Sequence, residues 1–179
     1  MVLASFEGPH ITLRPSRIAP LAVLAALLLA APAQAAPPAA TAFDPLAFFT
    51  GRTTGEGRLK KVLSPSQATH VESFGKVDKD GVLVLDQTVE IEGDKDRVRQ
   101  WRLHKVAPGR YEGTLSDAKG PVVATLERGV LHIAYSDKDG FPFRQKLTLA
   151  PGGQQAHNVM KVRRFGLTVA TIDETITRD

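Results

Sequence analysis

From Thr53 onward, short runs rich in Val, Leu, Thr and aromatic residues alternate with turn-forming clusters at regular spacing, and this pattern leaves few folds open. Runs of this kind bounded by Gly, Pro and Asp are the mark of antiparallel all-β sandwiches and barrels. About nine strands are predicted, over Thr53–Leu63, Ala68–Val77, Val82–Ile91, Val98–Val106, Arg110–Ser116, Val122–Glu127, Val130–Tyr135, Phe143–Ala150 and Ala156–Ile176, the last broken near Gly166. The turns between them, such as Asp78-Lys79-Asp80-Gly81, Glu92-Gly93-Asp94, Arg128-Gly129 and Asp137-Lys138-Asp139-Gly140, supply residues suited to positive φ or tight reversal. Connections this short make neighbouring strands antiparallel. Pro45 to Phe49 is expected to form one helical turn closing an end, and no segment carries a long 3.6-residue periodicity.

Side chains on a strand alternate between faces, so parity separates inside from outside. Arg99, Trp101 and Leu103 share one face of their strand, and Trp101 is expected inside. Leu83, Leu85, Val89 and Ile91 form a second apolar face, Leu131, Ile133 and Tyr135 a third, and Phe141, Phe143, Leu147 and Leu149 a fourth. Closing such strands into an up-and-down barrel of about 8–10 strands removes exposed edges and leaves room for packed side chains or one small ligand. Four charged residues, Glu56, Glu90, Arg99 and Glu174, also fall on faces read as inward. A buried charge is costly unless paired.

Ahead of the barrel, Arg17 precedes the apolar run Leu21 to Ala31 and the small-residue pattern Ala33-Gln34-Ala35. The run is shorter than the roughly 20 residues a bilayer requires, and the order of charge, apolar run and small residues is that of a cleaved export signal. The expected organisation is a signal peptide over 1–35, a flexible Pro/Ala linker over 36–42 and one barrel over 43–179, with a periplasmic location and no transmembrane segment in the mature chain. The sequence contains no cysteine. An exported chain of this kind must therefore hold its fold without disulfides, and it has no lipid-accepting cysteine. Removing Arg14, Arg17 and Glu7 with the leader leaves 21 basic and 18 acidic residues, interspersed and only mildly basic. No basic stripe interleaved with aromatic residues appears, which argues against nucleic acid as a partner. Lys161, Arg163 and Arg164 form a basic cluster that reads as a solvated strand face or as a weak attraction for anionic headgroups.

Catalytic and metal motifs are missing. His70, His104, His132 and His157 lie on separate strands without ligand spacing, so no metal site is expected. The Asp-Lys-Asp-Gly stretches lack the rest of a calcium loop, Gly51, Gly55 and Gly57 are not followed by the Gly-Lys-Ser/Thr of a phosphate loop, and there is no Gly-x-Ser-x-Gly elbow. The chain reads as a non-enzyme without a cofactor.

Several segments resemble landmarks of the domain of unknown function 3833 family: Phe48-Phe49-Thr50-Gly51, Arg99-Gln100-Trp101-Arg102-Leu103, Gly109-Arg110-Tyr111-Glu112-Gly113-Thr114, Ser116-Asp117-Ala118-Lys119-Gly120, and Asn158 followed by Arg164-Phe165-Gly166-Leu167-Thr168-Val169. The resemblance runs in order through nearly all of the mature chain. It implies a lipocalin-like barrel in the bacterial envelope and no particular reaction. A weaker likeness, Pro45-Leu46-Ala47-Phe48-Phe49-Thr50-Gly51 continuing to Gly57, is similar to the opening of nitrobindin-like haem barrels, where His157 would be the iron ligand.

The leading expectation is a small apolar or amphipathic, lipid-like ligand inside the barrel, against Trp101, Tyr111, Tyr135 and Phe143, with Arg99 as an anchor for an anionic group and Asn158 as a further candidate contact. The alternatives are a structural or protein-interaction module whose barrel is filled by its own side chains, and a haem-binding barrel.

Overall fold

A computed structural model describes residues 43–179, and the expected export signal and linker lie outside the described residues. A helical turn, α1 (Pro45–Phe48), precedes ten strands: β1 (Gly51–Lys61), β2 (Ser66–Val77), β3 (Leu83–Ile91), β4 (Arg97–Ala107), β5 (Arg110–Leu115), β6 (Val122–Glu127), β7 (Val130–Ser136), β8 (Pro142–Leu149), β9 (Gln155–Arg164) and β10 (Leu167–Arg178). Every strand pairs antiparallel with its sequence neighbours, and β10 pairs with β1, so the sheet is a closed up-and-down barrel of the lipocalin-like kind. The long C-terminal segment divides at Phe165-Gly166, where both residues have positive φ (48° and 79°). Such a two-residue turn matches the twist of the flanking strands. The first strand stops at Lys61 rather than Leu63, because Leu63 turns to a φ of 62° and leaves the ladder.

One end of the barrel is packed shut. Asp44 caps α1 through the Leu46 amide (3.0 Å), and Phe43, Phe48 and Phe49 fold beneath the strands. Their rings meet edge to face, Phe43 on Phe48 at 5.3 Å and Phe48 on Phe49 at 4.9 Å. They join Leu83, Leu103, Tyr111, Leu131, Leu147 and Ala156, all buried. Each large side chain buried this way stabilises the fold by about 1.5–3 kcal/mol. Gly75 of β2 lies directly beneath the Phe49 carbonyl oxygen, where a Cβ would collide with backbone. The turn that seals the barrel can sit this low only because β2 carries no side chain there.

The inward faces of β3, β4, β7 and β8 are those expected from parity, and Trp101 is buried. Of the four charged residues read as inward, Arg99 and Glu174 face the interior, whereas Glu56 and Glu90 are exposed. On β1 the inward set is Thr53, Gly55, Leu59 and Lys61, which carries Glu56 outward, and on β3 Val89 and Ile91 hold Glu90 outward. Glu56 accepts a hydrogen bond from His70 Nδ1 at 2.6 Å on the outer surface. That outer surface is polar along most strands, with Arg58, Lys60, Glu72, Asp86, Arg102, His104 and Lys146 exposed.

Candidate functional site

Away from α1 the interior is open. The inward residues at that end, among them Val89, Ile91, Val162, Ala170 and Ile172, are only half-buried, while their counterparts near α1 are sealed. Among the described residues no helix or strand crosses the end rimmed by Lys61, Ile91, Arg97, Asp117 and Asp137. Behind this mouth lies a cavity of about 290 Å³. Ligand pockets commonly run from about 300 to 1,000 Å³, so the space suits a small molecule or part of one apolar chain.

Two walls differ in chemistry. On one, Trp101 of β4 meets Tyr135 of β7 edge to face at 5.5 Å, and Tyr135 stacks on Phe143 of β8 at 5.0 Å. Tyr135 and Phe143 are register partners. The Arg99 guanidinium lies over the Trp101 ring at 5.5 Å from its centroid, close enough for a cation–π contact. Gln87 organises this corner: its Oε1 accepts from Trp101 Nε1 (2.6 Å) and from Arg99 Nε (3.0 Å), and its Nε2 donates to Ser73 Oγ (3.0 Å). Deeper on the same side Gln145 Nε2 donates to Met160 Sδ at 3.2 Å and lies 3.5 Å from the Tyr135 hydroxyl. Burial pushes the Tyr135 phenol up, against a smaller opposing effect of the Arg99 charge.

The other wall carries a polar row. Asn158 of β9, Glu174 of β10, Gly57 of β1 and Thr69 of β2 are successive register partners. Asn158 Nδ2 donates to Glu174 Oε2 at 2.9 Å, while Asn158 Oδ1 and Thr69 Oγ1 are buried without a hydrogen-bond partner. The Glu174 carboxyl folds over Gly55, where a Cβ would strike its Oε1. Thus the glycines of β1 make room for the neighbouring acid. Desolvation pushes the Glu174 carboxyl above the usual carboxylate range, more strongly than the Asn158 amide and the Arg99 charge pull it down. Arg99 makes no ion pair among the described residues.

Of the residues singled out from sequence, Arg99, Trp101, Tyr135, Phe143 and Asn158 line this one cavity. Tyr111 does not. It faces inward as parity requires but sits among the packed residues of the α1 end, 2% exposed and clustered with the phenylalanines. His157 is exposed on the outer face of β9 and hydrogen-bonds Asp173 Oδ1 at 2.8 Å, so it cannot reach an iron within the barrel. His70, His104 and His132 likewise take the outward parity of their strands, and among the described residues no cluster of His, Asp and Glu is arranged to hold a metal. Sequence reasoning passed over Gln87, Gln145 and Thr69, and left Glu174 out of the site. For three of them a signal was available: Gln87 stands between Leu85 and Val89, Gln145 between Phe143 and Leu147, and Glu174 between Ile172 and Ile176, each a single polar residue in an apolar inward series, whereas Thr69 lies between Gln67 and Val71 and has none.

A family model described as "Protein of unknown function (DUF3833)" matches residues 26–178. No curated protein matches the chain. Among solved structures, the S-type phycobiliprotein lyase CPES from Guillardia theta is similar, with 7% sequence identity and a TM-score of 0.59 over 75% of this chain and 90% of that one. At that identity the likeness speaks for the shared barrel fold.

Proposed function

The chain belongs to the DUF3833 family of unknown function, and on that premise we propose that it is an exported, non-catalytic carrier of a small amphipathic molecule with an acidic head, taken into the open barrel. One observation carries the proposal: Arg99 faces the cavity beside its aromatic wall, fixed by Gln87 and Trp101, with no carboxylate paired to it among the described residues. A cation held in place without a counter-ion suits an anionic group, because charge-assisted hydrogen bonds from a guanidinium to a carboxylate are stronger than neutral ones. The apolar body of the ligand lies along Trp101, Tyr135 and Phe143, where its transfer from water supplies the driving force. The unpartnered oxygens of Asn158 and Thr69 offer acceptors for a hydroxyl or amide. The phycobiliprotein lyase shares this type of barrel, and binding by this chain is argued from its own cavity.

The test is native mass spectrometry of the protein purified from the periplasm, followed by titration of the emptied protein with a fatty acid while Trp101, the one tryptophan of the sequence, reports. A co-purified lipid-like mass, quenching of Trp101 and an affinity reduced about ten- to hundredfold in Arg99→Gln are expected, the last from losing a hydrogen bond to a charged group. A protein that arrives empty and binds neither fatty acid nor phospholipid refutes the carrier reading and favours a packed interaction module. A haem mass with a Soret band would refute it in favour of a chromoprotein.

A further inference from the structure

Two hairpin tips stand side by side at the mouth. The β1–β2 connection presents Val62 and Leu63, and the β9–β10 connection presents Phe165 and Leu167; β1 pairs with β10, and the Val62 amide donates to the Val169 carbonyl at 3.0 Å. All four apolar side chains are exposed, Leu63 at 101% and Phe165 at 89%. Both tips also hold a bulky residue at positive φ, Leu63 at 62° and Phe165 at 48°. A side chain of that size is rare in this region of backbone space, and the first position of the Phe165-Gly166 turn is one where Asn or Asp is favoured. The barrel supplies its own comparison: the third non-glycine residue at positive φ is Arg128, in the Arg128-Gly129 turn at the opposite, α1 end, and it is polar. Among the described residues only the tips at the mouth place large apolar groups there. Nothing among the described residues covers them.

The strand ends that carry these two tips hold charge of one sign. Residues 57–71 contain Arg58, Lys60 and Lys61 and no acid, and residues 158–172 contain Lys161, Arg163 and Arg164 and no acid. The acids at the mouth lie in the other connections: Glu92, Asp94 and Asp96 in the β3–β4 turn on the far side of β2, with Asp94 reaching Lys61 at 3.5 Å, Asp117 between β5 and β6, and Asp137 and Asp139 in the β7–β8 turn, where Asp139 neighbours Arg163 and Arg164. Arg164 is held between the rings of Phe141 and Phe165, at 5.2 Å from each, so a cation and an apolar tip are presented together.

We propose that the Leu63 and Phe165 tips, with Lys60, Lys61, Arg163 and Arg164 behind them, dock the mouth of the barrel onto an anionic lipid bilayer. The apolar tips enter the headgroup region and the cations meet lipid phosphates, as in peripheral proteins that combine apolar insertion with basic attraction. Among the described residues no helix is long and apolar enough to cross a membrane. The inference rests on the outer rim and stands whether or not the cavity carries a ligand.

The decisive experiment floats the chain, as its host processes it, with vesicles of phosphatidylcholine alone and of phosphatidylcholine containing phosphatidylglycerol, in low and high salt. Binding to the anionic vesicles that weakens with salt is expected, with about a fivefold loss for each cation removed by Arg163→Gln or Arg164→Gln. About a tenfold loss is expected for each of Leu63→Ser and Phe165→Ser, while urea midpoints stay near that of the parent because all four sites are on the surface. Failure to bind anionic vesicles at low salt overturns the proposal. So does equal binding to both vesicle types that the tip variants leave unchanged, as an apolar leader alone would give. Self-association lost in Phe165→Ser, without vesicle binding, would instead assign the tips to a second copy of the chain.

Discussion

Replacing Gln87 with leucine tests the organisation of the cavity corner. Its Oε1 accepts from both Trp101 Nε1 and Arg99 Nε, at 2.6 and 3.0 Å, and leucine of similar size offers neither an acceptor. Trp101 is only 8% exposed, so its indole donor loses its one partner with little access to water. Leaving such a donor unsatisfied costs about 1–3 kcal/mol. Arg99 is half-buried beside the mouth, where water replaces most of what it loses, and the added apolar surface of leucine returns a fraction of the cost. The expected net loss is about 2 kcal/mol, which at a urea m-value of about 2 kcal/mol/M lowers the midpoint by about 1 M. Because Trp101 is the one tryptophan, its emission follows both the unfolding and the local change, and a shift to shorter wavelength is expected in the folded variant. Gln87→Glu keeps the acceptor and adds an anion facing Arg99, so it should unfold near the parent's midpoint. An unchanged midpoint and spectrum in Gln87→Leu would refute the view that this side chain holds the aromatic wall in place.

Glu174→Gln should raise stability at neutral pH. An unfolded-chain glutamate ionises near pH 4.3, whereas burial keeps the folded carboxyl protonated to higher pH. The folded state therefore binds more protons across that window, and stability declines as pH rises from the ordinary value through the raised one; urea midpoints of parent and variant should converge in acid and separate above it, and a parent more stable than the variant at pH 7 would contradict this. Gly75→Ala should destabilise by about 1–3 kcal/mol, since the new Cβ meets the Phe49 carbonyl and lifts α1; thermal unfolding and protease sensitivity near Phe49 report it. On the surface, His70 titrates above its usual value chiefly because of its hydrogen bond to Glu56. Its contribution, below about 1 kcal/mol for so exposed a pair, is present in acid and fades as pH rises through the raised pKa, and Glu56→Gln should bring the NMR-measured pKa back towards about 6.5.

Most of the barrel was legible because its punctuation is local. Asp-Lys-Asp-Gly and Arg-Gly turns mark strand ends, and the apolar alternation of β3, β7 and β8 assigns their faces directly. Height within the barrel was not legible. Parity places Tyr111 and Tyr135 alike inside, but only the docking of α1 decides that Tyr111 belongs to the sealed end and Tyr135 to the cavity. Glu56 was misassigned for a related reason. Its neighbours Gly55 and Gly57 carry no side chain to reveal their face, and their meaning depends on Glu174, far away in sequence and adjacent across the β1–β10 pairing.

That pairing also governs how the chain must assemble. Every other pair of strands is joined by a hairpin and can form soon after its turn, whereas the seam between Gly51–Lys61 and Leu167–Arg178 waits for almost the whole described chain. Contacts of such sequence separation slow folding, since the entropy of bringing the ends together is spent before the contact is made. Until it closes, the curled sheet carries two unpaired edges, each able to template another chain. The vulnerable period of this protein is therefore the interval before its last strand meets its first, and crowding by other copies at that moment would be more damaging than any single weak contact in the finished barrel.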